Sequence, residues 1–272
     1  MPTERRMTSA TRSATVSHVE EASGDTLAHR CHLNMVEAFA SLPEHQPGGF
    51  VRRRDGIVVA ATLSPIPLFN VVLPVAHRVE PAAFAAMGRM MAEHGLARSA
   101  QLRDGIDEAL ASVARDLGLE EVADASWPAM VRTPLPTEVA LPHGFVVERA
   151  TEAAGFDEHL RATGGDPRVT ATWKGSGVLG DPRWMLFVGR ADGVAVSKAM
   201  AFVEHGVVGI YDVSTRADVR RRGYGSAITE AALAAGRRAG CTVGTLQSSA
   251  MARRMYEAQG FRQLFRYRAF RG

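Results

Sequence analysis

The segment Val213-Ser-Thr-Arg-Ala-Asp-Val-Arg-Arg-Arg-Gly-Tyr-Gly-Ser226 carries the clearest chemistry in the chain. Arg220, Gly223 and Gly225 give the pattern R-x-x-G-x-G between an expected strand and an expected helix. Glycines at such a junction let the backbone turn tightly and come close to a ligand. The free N–H groups and positive dipole end of the helix then face the loop, and that combination suits an anion such as a pyrophosphate. Arg221 and Arg222 add charge around it. The spacing is not the dinucleotide fingerprint, which needs a third glycine and a later acidic residue, and no Gly-Lys-Ser/Thr makes it a Walker loop.

A second constellation follows downstream. Ile228, Ala231, Ala232 and Ala235 form a narrow apolar stripe of small residues that lets a helix lie close to a sheet. After a short strand, Met251-Ala-Arg-Arg-Met-Tyr-Glu-Ala-Gln-Gly-Phe261 reads as a short helix closed by Gly260, with Ala252, Met255, Tyr256 and Gln259 on one face.

The two motifs, Arg220-Arg-Arg-Gly-Tyr-Gly225 and Ala252-x-x-Met-Tyr-x-x-x-Gly-Phe261, resemble those of the GNAT superfamily of acyl-CoA-dependent N-acyltransferases over about residues 144–272. The resemblance implies acetyl-CoA as co-substrate, with no metal. Two neighbouring strands would splay. Val213, Ser214 and Thr215 would then offer backbone groups to the pantetheine arm, as in strand addition. Backbone N–H groups from Arg221 through Arg222, Gly223, Tyr224 and Gly225 to Ser226 would hold the pyrophosphate. Tyr256 matches the usual general acid, which protonates the leaving thiolate. A base is expected among Asp212 and Glu204, with His205 a poorer candidate. Family members often carry an asparagine three residues before Ala252; here that position is Ser249, a shorter hydroxyl that could bond the cofactor directly or through water. Arg253 or Arg254 could meet the 3′-phosphate of CoA.

The elements that must position these residues follow from periodicity and turn chemistry. In the second half, strands are expected at Phe145–Arg149, Trp184–Gly189, Val194–Glu204, Val207–Val213, Thr242–Leu246 and Phe261–Phe270. Helices are expected at Thr151–Ala162, with Thr151 as N-cap, at Ser226–Ala239 and at Ala250–Ala258. A glycine-rich loop spans Gly164 to Gly180. The first half has a looser version of the same order: a helix from Asp25 to about Phe39, strands at 49–53, 56–63, 69–73, 101–102 and 127–132, and helices at Pro81–Glu93 and Ile106–Leu117. Residues 135–143, rich in proline, read as a linker. The expected fold is α/β (α+β): a mixed, largely antiparallel central sheet flanked by helices, GNAT-like, with two similar domains in tandem. Residues 1–24 would be a mobile tail, 25–134 a degenerate GNAT-like domain without its own cofactor loop, and 144–272 the catalytic domain. Pro65–Asn70 and Ser126–Val131 resemble segments of the N-terminal halves of tandem members.

Composition bounds the alternatives. The 272 residues are 46% hydrophobic and 22% charged, which excludes wholesale disorder. No stretch approaches the ~20 apolar residues of a membrane span. The first residues lack the apolar middle of a secretory signal, so a cytoplasmic protein is expected. Cys31 and Cys241 suffice for neither a disulfide framework nor a zinc site. The net charge of +3 is nearly all arginine, Lys174 and Lys198 being the only lysines, a bias typical of a GC-rich bacterial genome. No basic-aromatic surface points to nucleic acid. The expected function is therefore transfer of an acetyl group from the thioester to the amine of a small molecule entering between the halves, beside the loops at Gly164–Gly180 and Pro65–Asn70. A non-catalytic acyl-CoA-binding module, a protein N-acetyltransferase and a homodimeric assembly stay open.

Overall fold

A computed structural model describes residues 27–272; the tail expected over residues 1–24 lies outside the described residues. Helix α1 covers 27–41. It is followed by strands β1 (Phe50–Arg54), β2 (Ile57–Ala61) and β3 (Asn70–Pro74), helix α2 (Pro81–Glu93), β4 (Ser99–Arg103), α3 (Leu110–Asp116) and β5 (Glu120–Arg132). The second half contributes β6 (Phe145–Ala150), α4 (Ala153–Arg161), α5 (Pro167–Gly175), β7 (Trp184–Ala191), β8 (Val194–Glu204) and β9 (Val207–Thr215). It continues through α6 (Tyr224–Arg238), β10 (Val243–Gln247), α7 (Arg253–Ala258) and β11 (Arg262–Arg271). Between them, residues 133–144 carry neither helix nor strand.

Two local expectations need correction. Helix α4 starts at Ala153 behind Glu152, and no side chain caps it, so Thr151 is not its N-cap. The glycine-rich loop holds a helix of its own, α5. Asp166 accepts a hydrogen bond from Arg168 N at 2.8 Å, and Pro167 occupies the first turn, a cap and proline pairing that was already in the sequence.

The eleven strands of the described residues form one sheet, in the order β1-β2-β3-β4-β11-β5-β10-β9-β8-β7-β6. The closing strand β11 does not return to the second half. It inserts antiparallel between β4 and β5, with Tyr267 opposite both Arg103 and Trp127. Strand β5 is bonded on its other edge to β10, with Val131 opposite Thr245. The halves are therefore laced through one another.

Alternation along the strands separates two faces. On one, α2 and α3 cover Val59, Val72, Ala100 and Leu102, and α6 covers Ala199, Ala201, Val208 and Ile210. On the other, α1 lies across the middle, packed on Val58 and Val71 of the first half and Tyr267 of β11, and close to Met200 and Phe202 of β8. Its buried Asn34 fixes that position. The amide Nδ2 donates to Phe202 O at 3.1 Å and Val207 O at 3.0 Å, and Oδ1 accepts from the Tyr211 hydroxyl at 2.9 Å. Both cysteines are free and buried, and burial pushes each thiol up to about 11. Among the described residues no helix is long and apolar enough to cross a membrane.

Candidate active site

Strands β9 and β10 run parallel and pair only from Val207–Val243 to Ile210–Leu246. Beyond that point β9 continues to Thr215 with no partner on the β10 side. A bulge drives them apart. Asp212 takes φ 49°, and the β8–β9 register slips between the pairs Lys198–Ser214 and Met200–Tyr211. An extra residue on one strand bends it and increases its twist, so residues 213–215 present a bare backbone edge.

The side chain of Asp212 is tied down at this bulge. Lys198 Nζ, itself buried, donates to Asp212 Oδ2 at 2.7 Å, and His159 Nε2 stands 3.8 Å from the same oxygen. Burial pushes the Asp212 carboxyl up, but His159 and Lys198 more than offset this and hold it below the ordinary carboxylate value. A carboxylate with a lowered proton affinity and a bound ammonium is a weak base. Its evident work is to hold the strained backbone that opens the edge. Glu204 is not brought to the site. It pairs with Val207 at the hairpin end of β8, the end of β9 remote from Thr215, and its Oε1 accepts from His205 N. Neither Glu204 nor His205 lines the cavity described below.

Past Thr215 the chain turns through a short 3-10 segment, Ala217–Val219, into the expected phosphate loop. Arg220 Nε donates to Thr215 O at 3.1 Å and closes the loop onto the strand. Arg221 and Arg222 are exposed. Gly223 caps α6 in the left-handed conformation, φ 82°, which costs a residue with a Cβ ~1–2 kcal/mol. At Gly225 the reason is space: an added Cβ would sit 3.3 Å from Thr215 Oγ1 and 3.5 Å from Met255 Sδ. The first N–H groups of α6, from Tyr224, Gly225 and Ser226, have no carbonyl behind them within the helix. Tyr224 contributes backbone only, because its ring is buried and stacked on Phe145 with centroids 4.6 Å apart. The residues present fit a pyrophosphate: a glycine cradle, a helix start and flanking guanidinium groups.

Helix α7 brings Tyr256 to the cleft between the splayed strands. The residue is 5% exposed and its ring meets Phe261 edge-on at 5.7 Å. Burial pushes its hydroxyl up to about 12, with the Thr229 hydroxyl acting in the opposite direction. The phenol therefore stays protonated at neutral pH. Ser249 begins the turn into α7, its Oγ accepting from Ala252 N at 3.3 Å. Gln259 Nε2 donates to Ser226 O at 3.1 Å, which locks α7 against α6. Arg253 is engaged with Glu257 at 2.8 Å, and Arg254 is exposed.

Strand β9 and the turn into α7 open on a cavity of about 460 Å³. Its second-half wall includes Asp212, Val213, Ser249, Ala252 and Tyr256, together with Val169 and Trp173 of α5 and Trp184 of β7. The first half supplies Met35, Phe39 and Leu42 of α1, Ile66, Leu68 and Phe69 before β3, Gln101 of β4 and Trp127 of β5. Sequence reasoning missed Trp173, Trp184, Trp127 and Gln101. An aromatic residue in a strand or helix reads as core, and nothing local marks the ones that face a void. Elsewhere, ligand-type atoms of Glu44, His45 and Asp181 lie within 4.8 Å of one another, but Arg183 already bridges the two carboxylates at 3.1 and 2.7 Å.

Comparison with known proteins places this geometry. Residues 148–261 match the model of the acetyltransferase (GNAT) family. No curated protein sequence matches the chain. A GCN5-related N-acetyltransferase from Kribbella flavida superposes with a TM-score of 0.68 at 16% identity, covering 89% of this chain and 94% of that one. A tandem GNAT protein from the clavulanic acid biosynthesis pathway gives 0.61 at 14% identity, covering 87% of each chain. A GCN5-related N-acetyltransferase from Sphaerobacter thermophilus gives 0.53 at 18% identity, over 82% of this chain and 75% of that one. Residues 148–261 therefore carry the match to the acetyltransferase (GNAT) family, and the fold of the described chain is that seen in a tandem GNAT protein.

Proposed function

We propose that the protein is an acetyl-CoA-dependent N-acetyltransferase whose acceptor is a small-molecule amine bound between the two halves. The observation that carries the reading is one continuity: the bare edge of β9 and the Tyr256 side chain meet the same cavity at Val213, and β9 runs on from there through Thr215 into the glycine loop at the start of α6. Acetyl-CoA, when bound, supplies the acetyl thioester. The backbone of Val213, Ser214 and Thr215 would pair with its arm, and the N–H groups of residues 221–226 would hold its pyrophosphate. Ser249 and Ala252 border the arm on the α7 side. The neutral amine attacks the thioester carbon, the carbon–sulfur bond breaks, and Tyr256 gives its proton to the sulfur as the amine proton leaves to solvent. Lys198 and Asp212 keep the edge open. A cavity walled by both halves favours a small acceptor over an exposed protein side chain.

Binding is tested at the loop. A Gly223→Glu, Gly225→Glu double variant should lose calorimetric acetyl-CoA binding, since two carboxylates replace the pyrophosphate's space. The Gly223→Ala, Gly225→Ala double variant carries the same backbone strain without charge and should retain more of the affinity. Undiminished binding in the glutamate variant would remove the loop from the site. CoA release against a panel of amines tests catalysis; acetyl-CoA binding with no release on any amine would point to a binding module instead.

The pH dependence has a worked sign. Of the titratable residues lining the cavity, Asp212 is held below its ordinary value and Tyr256 is raised to about 12; Tyr211, the third, is also raised, by burial. Between these limits only the amine ionises. kcat/KM should therefore rise with pH until the free amine's own pKa and then level off. A falling limb below pH ~9 would contradict Tyr256 as the acid.

A further inference from the structure

Gln101 sits in the wall of the cavity, on β4, across from the second-half residues that handle the thioester. It is 1% exposed, and neither its amide nitrogen nor its amide oxygen has a hydrogen-bond partner. Buried side-chain amides are nearly always satisfied, because an unpaired one forfeits its hydration without return. Of the residues lining this cavity, Gln101 alone has buried polar atoms left in that state. The neighbouring donors are spoken for: Asn70 Nδ2 donates to Ser64 O and Ala97 O, and Ser99 Oγ donates to Pro67 O. Asn70 Oδ1 is also buried without a partner, but Asn70 does not line the cavity.

The rest of the wall sets what can reach that amide. It is built mainly from aliphatic and aromatic side chains, Phe39, Phe69, Trp127, Trp173 and Trp184 among them, and among the described residues no arginine, lysine or histidine lines it. Its one carboxylate, Asp212, is already paired with Lys198. A second ammonium or a carboxylate at the far end of the acceptor would be buried with no counter-charge, at heavy cost. A neutral group that both donates and accepts would satisfy the two orphaned atoms of Gln101 at once.

Resting on the transferase reading above, we infer that Gln101 selects the acceptor: a monoamine with an apolar, ring-bearing body and an uncharged hydrogen-bonding group, a hydroxyl or carboxamide, at the end remote from the amine. Polyamines and amino acids carry the wrong charge for this cavity, and amino sugars bring more hydroxyls than its apolar wall can satisfy.

Phenethylamine and its para-hydroxy, para-carbamoyl, para-carboxy and para-aminomethyl derivatives make a matched series. Calorimetric Kd values are measured with the full chain in wild-type and Gln101→Leu form, alongside CoA release from acetyl-CoA. In the wild type the hydroxy and carbamoyl amines should bind roughly tenfold to a hundredfold more tightly than phenethylamine, and the carboxy and aminomethyl amines more weakly. Gln101→Leu should erase the advantage of the first two while leaving phenethylamine as well bound or better. The leucine replaces an unsatisfied amide with an apolar group, so folding should not suffer; Gln101→Met serves as the second variant. The inference is overturned if the charged derivatives bind best, if wild type does not prefer the hydroxy and carbamoyl amines, or if their preference survives in both variants. It is also overturned if octanoyl-CoA is turned over faster than acetyl-CoA, which would put an acyl chain in the cavity. Absence of CoA release with every amine counts against the transferase reading alone, and the Kd comparison still decides the role of Gln101.

Discussion

Replacing Tyr256 with phenylalanine is expected to leave acetyl-CoA binding intact and to lower kcat by ~10²–10⁴-fold. The ring is what the fold uses: it is buried, meets Phe261 edge-on and belongs to the core beneath α6. Phenylalanine keeps all of that and removes only the oxygen. The phosphate loop and the open edge of β9 lie on other elements and are untouched. What disappears is the proton held ready at the cleft, by a hydroxyl that burial keeps protonated up to about pH 12. A CoA thiolate then has to leave unprotonated or wait for water. The measurement is kcat and calorimetric Kd on the same preparation. An unchanged kcat would make Tyr256 a packing residue, and a lost Kd would mean that the hydroxyl supports the binding site instead.

How much of this was legible in the sequence depended on the range of the interaction. The glycine turn into α6 was, because it resides in consecutive backbone groups: Gly223 takes a left-handed φ that favours glycine, and at Gly225 an added Cβ would come within 3.3 Å of Thr215 Oγ1. Helix α2 was found with its bounds, since Pro81 starts it and Gly95 follows its end. Strand β5 was read as six residues and has thirteen. Its first part, Glu120-Glu-Val-Ala-Asp, carries charge that local rules assign to a loop, and Pro128 interrupts the apolar run. Pairing with β11 carries it through, with Pro128 opposite Arg266 and the β10 ladder stopping at Ala129. Tyr256 was singled out through its motif, and it does line the cavity, whereas Glu204 was chosen as an acidic group on a central strand and falls at the far end of a hairpin. Asp212 was noticed as a carboxylate, but its partners, Lys198 across the hairpin and His159 from α4, are tertiary. So is the whole first-half wall of the cavity. Phe39 and Gln101 follow ordinary helix and strand periodicities that say which face is buried and not what it is buried against.

The placement of β11 predicts that the second half cannot work alone, for a reason distinct from the acceptor. A fragment of residues 135–272 retains the phosphate loop, Tyr256 and every residue matched by the family model, and by sequence it looks self-sufficient. In the sheet it is not. Strand β10 would lose β5, its antiparallel partner from Ala129 to Arg132, and would become an edge. Strand β11 would lose both β4 and β5, leaving ten residues with no pairing at all, including Tyr267 and Phe270, each at most 1% exposed in the full chain. Helix α1 would go too, and with it the Asn34 bonds that clamp the β8–β9 hairpin. Bare edges and exposed aromatic residues favour association between chains over folding. The fragment should therefore show no cooperative thermal transition and no acetyl-CoA binding. Adding residues 27–134 in trans should restore both, because the missing strands are then supplied, even though the chain is cut in the segment 133–144 that carries no helix or strand. Cooperative melting of the fragment by itself, with acetyl-CoA affinity equal to that of the full chain, would mean that the shared strands are dispensable and that the catalytic half is an independent folding unit.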